Sequence, residues 1–480
     1  MAFKIDVKPD ENKLKHLNEI KKLGIDPYGH KFDRTNSISD IIKNFDEMLG
    51  KNVDIAGRII GRRNHGKLEF IDLADQDGQI QLFVNQAELN GQALNILRLL
   101  DIGDIIGVNG DVIRTKTNEK SILVKKIELL SKSLLNLPSR WFGIEDIEKR
   151  YRKRHLDFIM NPESRQKILL SSKVVSAVRS TLDKNKFIDV PVPLLQYVAS
   201  GGNATPFKTH FNALHRDFYL KIASELHLKR LLVGGFERVY DISKSFRNEG
   251  VDTRHNPEFL ELEVYQAYGD LNDMIKLTEE IVRNAVFAVN GKYKVNFDKD
   301  ELDFEKFSII PMDEAVKKEV GDIGEDKIIK LAKNIDKTVV SYGDALNTLF
   351  EEKVQKKLIQ PTFITKYPIE ISPLAKKMED DPRFVYRFEL FVEGIEIANA
   401  FTELNDPLDQ IERFKNEEKR KERGIKETQE FDEEFVESLF YGMPPTGGMG
   451  MGLERLAMIA TNSKSIREVI PFPQLREEKS

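Results

Sequence analysis

From Phe259 to Tyr265 the chain alternates strictly. Leu260, Leu262 and Val264 fall on one side of an extended segment, and Phe259, Glu261, Glu263 and Tyr265 fall on the other. A period of two requires a strand with one face packed on a core and the opposite face free to work. A half-exposed sheet could show such a pattern, but aromatic and acidic side chains opposite a wholly apolar face favour an active surface. A second segment alternates as well: Gly448, Gly450 and Gly452 leave one face of their strand bare, open to a ligand or to another strand.

Just before the first strand stand Ser245-Phe246-Arg247-Asn248-Glu249 and His255-Asn256-Pro257-Glu258-Phe259, and the glycine strand runs on through Leu453-Glu454-Arg455 into the apolar helix Leu456 to Ala460. Arg247 offers a planar fork for a phosphate that gains charge during attack, Arg455 a second fork for a terminal phosphate, and Phe259 a face on which a base can stack. Glu249 shares a face with Arg247 and can meet an adenine amino group. An isolated Arg-x-Glu reads as an ion pair, and His255 alone reads equally well as a surface histidine; together with Phe259 and the glycine-rich arginine segment they suit ATP used for adenylate chemistry. Arg247 and Arg455 are the candidate catalytic residues, and Arg247, Glu249, His255, Phe259 and Arg455 the candidate ATP ligands.

Length and composition frame this site. A chain of 480 residues can bury more than one core, and the absence of cysteine removes disulfides and thiolate metal sites. No apolar run approaches the ~20 residues that span a membrane, and Met1 to Asp10 lacks a signal-peptide core, so a cytoplasmic soluble protein is expected. With a net charge of −5, any RNA contact has to rely on local patches. The expected class is α+β multidomain: an N-terminal extension over 1–50, a barrel over 51–136, a linker over 137–160 and a larger domain over 161–480.

Residues 11–23 carry leucines and an isoleucine at helical spacing under a lysine-rich face, ended by Gly24; a solvated surface helix and a basic arm on RNA both fit. Short alternating strands from Asn52 to Leu130, such as Val53 to Ile60, Leu68 to Leu73 and Gln79 to Val84, with one helix from Gln86 to Leu100, predict an OB barrel. Asn136 to Arg140 reads as a linker. Asn161-Pro162-Glu163 predicts a capped helix start, with Ile168, Val175, Val178 and Leu182 on one face, and Phe187 to Pro193 a strand confined by its prolines to an edge. Residues 311–360 form a charged helical insertion. The helix Asp409 to Lys421 reads as a solvated face.

The Phe-Arg-x-Glu, His-x-x-x-Phe and Gly-x-Gly-x-Gly-Leu-Glu-Arg segments resemble motifs 2 and 3 of class II aminoacyl-tRNA synthetases, and the surrounding segments are most similar to the lysyl-tRNA synthetases over nearly the whole chain. The resemblance implies a catalytic domain built on an antiparallel sheet flanked by helices, ATP-dependent ligation of lysine to tRNA(Lys), and a homodimer through the helix and strand around Pro193. It also implies lysine ligands at Gly201, Glu225, Glu263, Tyr265, Asn399 and Glu403, Mg²⁺ ligands at Glu389 and Glu396, and anticodon contacts at Arg63, Phe70 and Gln81. Phe70 taken alone reads as barrel core. An acid on the last barrel strand is expected near Glu128, although Lys126 could hold that place. Thr205 and Ser224 depart from the family pattern, which bears on the loop after Gly201-Gly202.

The chemistry supports this branch independently. Several carboxylates converging without a protein cation would repel and take up protons, so a ligand ammonium would have to supply the missing charge. Aspartate, the substrate of related enzymes, would instead need a basic pocket. An anionic nucleophile needs no general base. Glu389 and Glu396 are separated by an odd number of residues and need a turn at Glu393-Gly394 to become neighbours. Simple alternation would aim Asn399 away from Glu396, so a bulge or strand end must intervene. Rival readings are an aspartyl- or asparaginyl-type enzyme, a ligase that has abandoned tRNA, and an RNA-binding protein with a decayed site.

Overall fold

The computed structural model describes residues 7–138, 146–202, 204–422 and 430–476, in two compact units that divide after Glu145. Ser139 and Arg140 of the expected linker lie outside the described residues. Among the described residues no helix is long and apolar enough to cross a membrane.

In the first unit, β1 (Asn52–His65), β2 (Leu68–Ala74), β3 (Gln79–Asn85), β4 (Ile105–Arg114) and β5 (Lys120–Ser131) close into a barrel in the order β1-β2-β3-β5-β4. Alternation decides which side chains fill it: Val53, Ile55, Ile71, Leu73, Leu82 and Val108 are buried inside. The single helix of this region is Gly91–Leu99, shorter than expected at its start because Asn90 caps it by accepting from the Ala93 amide at 2.8 Å. The N-terminal helix Glu11–Lys22 begins at Asp10 and ends before Gly24, whose φ of +72° suits glycine. It is anchored as well as solvated. Leu17 and Ile20 are buried, and Lys13 donates to the carbonyls of Ile102 and Leu135 at 2.7 and 2.8 Å.

In chain order the second unit carries β6 (Ile188–Asp189), β7 (Leu195–Gln196), β8 (Lys208–Phe211), β9 (Arg216–Leu220), β10 (Arg238–Phe246) and β11 (Glu258–Ala267). Then follow β12 (Lys294–Phe297), β13 (Asp300–Asp303), β14 (Ser308–Pro311), β15 (Thr362–Pro368), β16 (Phe384–Val392), β17 (Ile395–Thr402) and β18 (Thr446–Gly452). The main sheet has eight strands in the order β14-β15-β16-β17-β18-β11-β10-β6. Its middle is antiparallel, as expected, but β14 and β6 add parallel pairs at the two edges, so the sheet is mixed.

One face of this sheet is the core. Leu262, Val264, Leu390, Ala398, Ala400, Met449 and Met451 pack there with Met274, Leu277, Ile281 and Ala285 from the helix Leu271–Asn290 and with Val174, Val178 and Leu182 from the helix Pro162–Lys184. One expectation for the latter helix is corrected: Asn161 makes no cap bond, and its side-chain amide donates to Asp157 at 2.7 Å. Of the expected face, Val178 and Leu182 are fully buried beside Val174, Val175 packs partly buried against the same core, and Ile168 is half-buried. The expected strand Phe187 to Pro193 shrinks to β6, since Pro191 and Pro193 have no amide to offer a ladder.

The segment after β14 forms the helices Met312–Val320, Glu325–Lys333 and Tyr342–Leu349, whose Met312, Val316, Leu346 and Leu349 build a separate core against Ile364, Tyr367 and Phe391. The charged helix Pro407–Glu422 is not simply solvated. It buries Gln410, Arg413, Phe414 and Glu417, with Gln410 donating to the Pro373 carbonyl at 3.1 Å.

Candidate active site

The second face of the main sheet carries the candidate site residues, and strand register arranges them in rows. Tyr265 on β11 faces Gly448 on β18, which faces Phe401 on β17, which faces Arg387 on β16. In the next row Asp241, Glu263, Gly450, Asn399 and Glu389 stand in line across β10, β11, β18, β17 and β16, and beyond it Ser243, Glu261 and Gly452. The alternation of Phe259 to Tyr265 thus does what its period implies. The glycines are used by the protein's own acids as much as by open space: a Cβ at Gly448 would collide with Glu403 Oε1 and the Tyr265 ring, and one at Gly450 would lie 3.1 Å from Glu263 Oε1.

A cavity of about 440 Å³ opens on this face, lined by Gly201, Glu225, Arg247, Glu249, His255, Phe259, Glu263, Tyr265, Glu389, Glu396, Asn399 and Arg455 among others. Twelve of the residues singled out from sequence therefore meet in one place, while Glu403 stays out of the lining, buried behind Gly448.

At the arginine end of the cavity, Arg247 lies over the Phe259 ring at 5.0 Å and approaches Glu261 at 3.6 Å, and its Nε is buried without a hydrogen-bond partner. A buried donor left unpaired is costly, so a ligand oxygen is its natural mate. Arg455 donates to the Glu396 carbonyl and carboxylate at 3.0 and 3.2 Å. His255 meets Asp252 at 2.8 Å. Glu454 is held structurally, accepting from the Leu260 amide at 2.7 Å.

Glu389 and Glu396 come together by the route the sequence required. Glu393 and Gly394 turn the β16–β17 hairpin with φ of +53° and +63°. A bulge at Ile397, where the register slips between Leu390 and Phe391, brings Glu396 and Asn399 onto the same face. Burial pushes Glu389 up to about 7, with the Glu396 charge adding to the rise, while Arg387 donates to it at 2.6 Å and Tyr367 at 2.9 Å. Two mutually repelling carboxylates fit a hard cation. No group of three or more acidic, histidine or cysteine side chains able to hold a metal occurs among the described residues, so a cation here would complete its shell with phosphate oxygens and water, the habit of Mg²⁺.

The acidic end carries a correction. Lys229, one helical turn after Glu225 in the helix Glu225–Val233, lies fully buried with Nζ 2.6 Å from Glu225 Oε1 and against Glu403 Oε2. The acids thus do possess a native cation. Burial pulls Lys229 down, but Glu225 and Glu403 together hold it above its usual value. Glu403 is pushed up to about 8 by burial against the lowering effect of Lys229, and its Oε1 has no hydrogen-bond partner. Glu263 is driven well above the usual carboxylate range by burial and then by the charges of Glu261 and Glu225, and Tyr265 donates to it at 2.8 Å. One lysine would not neutralise this cluster with all three acids ionised, and the raised Glu263 and Glu403 hold protons in its place.

Sequence reasoning gave no role to three residues. Glu261 was visible on the working face; Lys229 carries the helical i, i+4 spacing from Glu225; and Arg387 precedes Glu389 by one strand period, on the same face. The departures from pattern are absorbed locally: Ser224 donates to Asp241 at 2.5 Å and accepts from Lys221 at 2.7 Å, and the Thr205 carbonyl accepts from the Asn248 amide at 2.7 Å.

On the barrel, Arg63, Phe70, Asp72, Gln81 and Phe83 share the outer face, with Arg63 opposite Phe70 and Gln81 opposite Asp72. Phe70 is half-buried, its ring 5.4 Å from Phe83, and is not core. Arg63 pairs with Asp72 at 3.0 Å, and both line a cleft with Gln81, Lys120 and Glu119. Lys126 and Glu128 line a different cleft, and Glu119, just before β5, joins Asp72 as an acid beside this surface.

Comparison with known proteins agrees with this geometry. Residues 146–476 match the model for tRNA synthetases class II (D, K and N), and residues 53–130 match the OB-fold nucleic acid binding domain. A lysine–tRNA ligase of Carboxydothermus hydrogenoformans is 45% identical over 97% of both chains. Those of Syntrophomonas wolfei and Staphylococcus epidermidis are 45% and 46% identical over 98% and 96% of this chain and 97% of their own. The chain belongs to the class II tRNA synthetases of the D, K and N group.

Proposed function

We propose that this chain is a lysine–tRNA ligase, which activates lysine with ATP to lysyl-adenylate and pyrophosphate and then transfers the lysyl group to the 3′ end of tRNA(Lys). The observation that carries the reading is the single sheet face on which a net acidic pocket, Glu225, Glu263 and Glu403 with Lys229, adjoins the arginines 247 and 455. A doubly ammonium amino acid fits the first and a polyphosphate the second.

Arg247, Glu249, His255, Phe259 and Arg455 bind ATP. Gly201, Glu225, Glu263, Tyr265 and Asn399 bind lysine, and Glu403 reaches the ammonium with the oxygen not engaged by Lys229. The lysine carboxylate attacks the α-phosphorus, a P–O bond forms, and pyrophosphate departs toward Arg455 and His255. Arg247 stabilises the charge that grows on the α-phosphate. No side chain needs to take a proton, because the nucleophile is already an anion; rate comes from positioning and electrostatics. Glu389 and Glu396 would hold Mg²⁺, which supplies charge neutralisation on the phosphates.

Arg63, Phe70 and Gln81 contact the anticodon by stacking and hydrogen bonding, with Glu119 beside them. Ile188, Leu194, Leu195 and Tyr197 expose apolar surface around Pro193, which supports a homodimer through this region. The enzyme works in the cytoplasm. Pyrophosphate exchange with each of the twenty amino acids tests the central reading: lysine should stimulate it, and stimulation by aspartate in place of lysine would overturn the assignment.

A further inference from the structure

Arg387 is held by an unusual number of directed bonds. Its guanidinium lies 4.4 Å from the Tyr367 ring centroid and 5.4 Å from that of Phe401. Nη1 donates to the Ile371 carbonyl and Ser372 Oγ at 2.9 and 3.0 Å, Nη2 to Glu389 Oε1 at 2.6 Å, and Nε to Asn399 Oδ1 at 3.1 Å. The side chain is only 12% exposed, so it cannot swing away without abandoning all four.

The last of these bonds has a chemical consequence. The two ends of an asparagine amide look alike, and its orientation follows from its neighbours. Arginine carries donors only, so the atom that faces Nε must be the Asn399 oxygen. The amide's NH₂ is thereby turned the other way. Asn399 lines the cavity, in the row between Glu263 with its facing Gly450 and Glu389, and among the described residues its NH₂ has no partner.

A donor so placed needs an acceptor from the ligand. The two ammonium groups of lysine cannot serve, since both are donors. Of lysine's groups only the α-carboxylate can accept, and Asn399 stands between the acids proposed for the ammonium groups and the carboxylates proposed for the metal, where the carboxylate must meet the α-phosphate. We infer that Arg387 is a positioning residue that locks Asn399 with its NH₂ toward the cavity, so that Asn399 donates to the lysine carboxylate oxygen that does not attack. This rests on lysine being the substrate.

The test separates the carboxylate from the ammonium groups with 1,5-diaminopentane, which keeps both amines and lacks the carboxylate, used as an inhibitor of lysine-dependent pyrophosphate exchange. In Asn399→Asp the oxygen nearest Arg387 is kept, and the donor facing the cavity becomes an acceptor. The lysine KM should rise about tenfold or more, the order expected for losing a hydrogen bond to a charged group, while the Ki of the diamine stays within about twofold. Arg387→Met should raise the lysine KM, and adding Asn399→Ala to it should raise it little further, because the arginine acts through that amide. The Mg²⁺ half-saturation, read in parallel, separates any effect routed through Glu389. An equal loss of diamine and lysine binding in Asn399→Asp, or fully additive effects of Arg387→Met and Asn399→Ala, would overturn the inference. If Arg387→Met does not fold, the diamine comparison decides alone. Failure of lysine to stimulate exchange in the unaltered protein would instead refute the substrate reading, a result distinguishable from either.

Discussion

Replacing Lys229 with methionine removes the one cation among Glu225, Glu263 and Glu403 and keeps the volume of the side chain. At 2.6 Å from Glu225 Oε1, a unit charge pair is worth about 6 kcal/mol at an effective dielectric constant of 20. Desolvation of the fully buried ammonium cancels much of that, so the cost of leaving the carboxylates unpaired is about 3–5 kcal/mol. For a folded unit of this size each kcal/mol is worth about 2 °C, so Tm should fall by roughly 6–10 °C.

The deficit should depend on pH, with a definite sign. Glu403 is raised from its ordinary 4.5 to about 8 even with Lys229 beside it, and loss of the cation raises it further. A carboxyl with a raised folded pKa contributes stability that is complete below its unfolded value and is lost as pH rises through the folded one. The variant should therefore lie close to the parent near pH 5 and diverge progressively toward pH 9. Saturating lysine, whose ammonium can replace the missing charge, should recover more Tm in the variant than in the parent. Scanning calorimetry at pH 5, 7 and 9 with and without lysine reads all of this. A deficit that is absent, or equal at every pH, would show that Lys229 does not balance the pocket.

Arg247→Ala should lower pyrophosphate exchange by at least about a hundredfold with Tm retained, since it removes a donor aimed at developing charge; unchanged exchange would take this arginine out of the chemistry. Because burial and Glu396 raise Glu389 to about 7, a cation must displace its proton below that pH, so apparent Mg²⁺ affinity should weaken as pH falls from 8 to 6 and Glu389→Gln should flatten the profile. Gly448→Ala, whose Cβ would meet Glu403 and Tyr265, should abolish lysine-dependent exchange, and a variant with normal KM would show that this close approach is unnecessary. Phe70→Ala should raise the KM for tRNA and leave amino-acid activation intact; a fall in exchange would assign the ring to the barrel's stability.

What could be read from sequence was whatever depended on a short period. The division of Phe259 to Tyr265 into a packed and a working face needed only alternation, and the pairing of Glu389 with Glu396 needed only the turn at Glu393-Gly394. Features set by partners distant in the chain were hidden. The buried face of Pro407–Glu422 depends on the Pro373 carbonyl and on Phe431 beside Phe414, neither of which the helix's own charge pattern reports. The bulge at Ile397 has no local signature, since Ile397 and Ala398 are both apolar and both buried. Pro191 and Pro193 did carry a signal, and its consequence was stronger than an edge position: the strand stops before them.

Lys229 shows where charge reasoning from sequence reaches its limit. The i, i+4 spacing from Glu225 is common on solvated helices, and nothing local distinguishes a lysine that turns outward from one that turns under a sheet. Its presence changes the charge argument without reversing it. Glu263 is raised first by burial and then by the neighbouring carboxylates Glu261 and Glu225, so the acids still disfavour one another's ionisation with Lys229 in place. With all three acids ionised, one lysine would leave two negative charges in excess. Burial instead raises Glu403 to about 8 and Glu263 well above its usual range, so the pocket by itself meets that excess with protons, which the ammonium groups of a ligand would displace. Arg247, which approaches Glu261, lies at the other end of the cavity. A ligand with one ammonium group would leave part of that excess unpaired. Two ammonium groups balance it, with the carboxylate left to face the arginine and the asparagine amide.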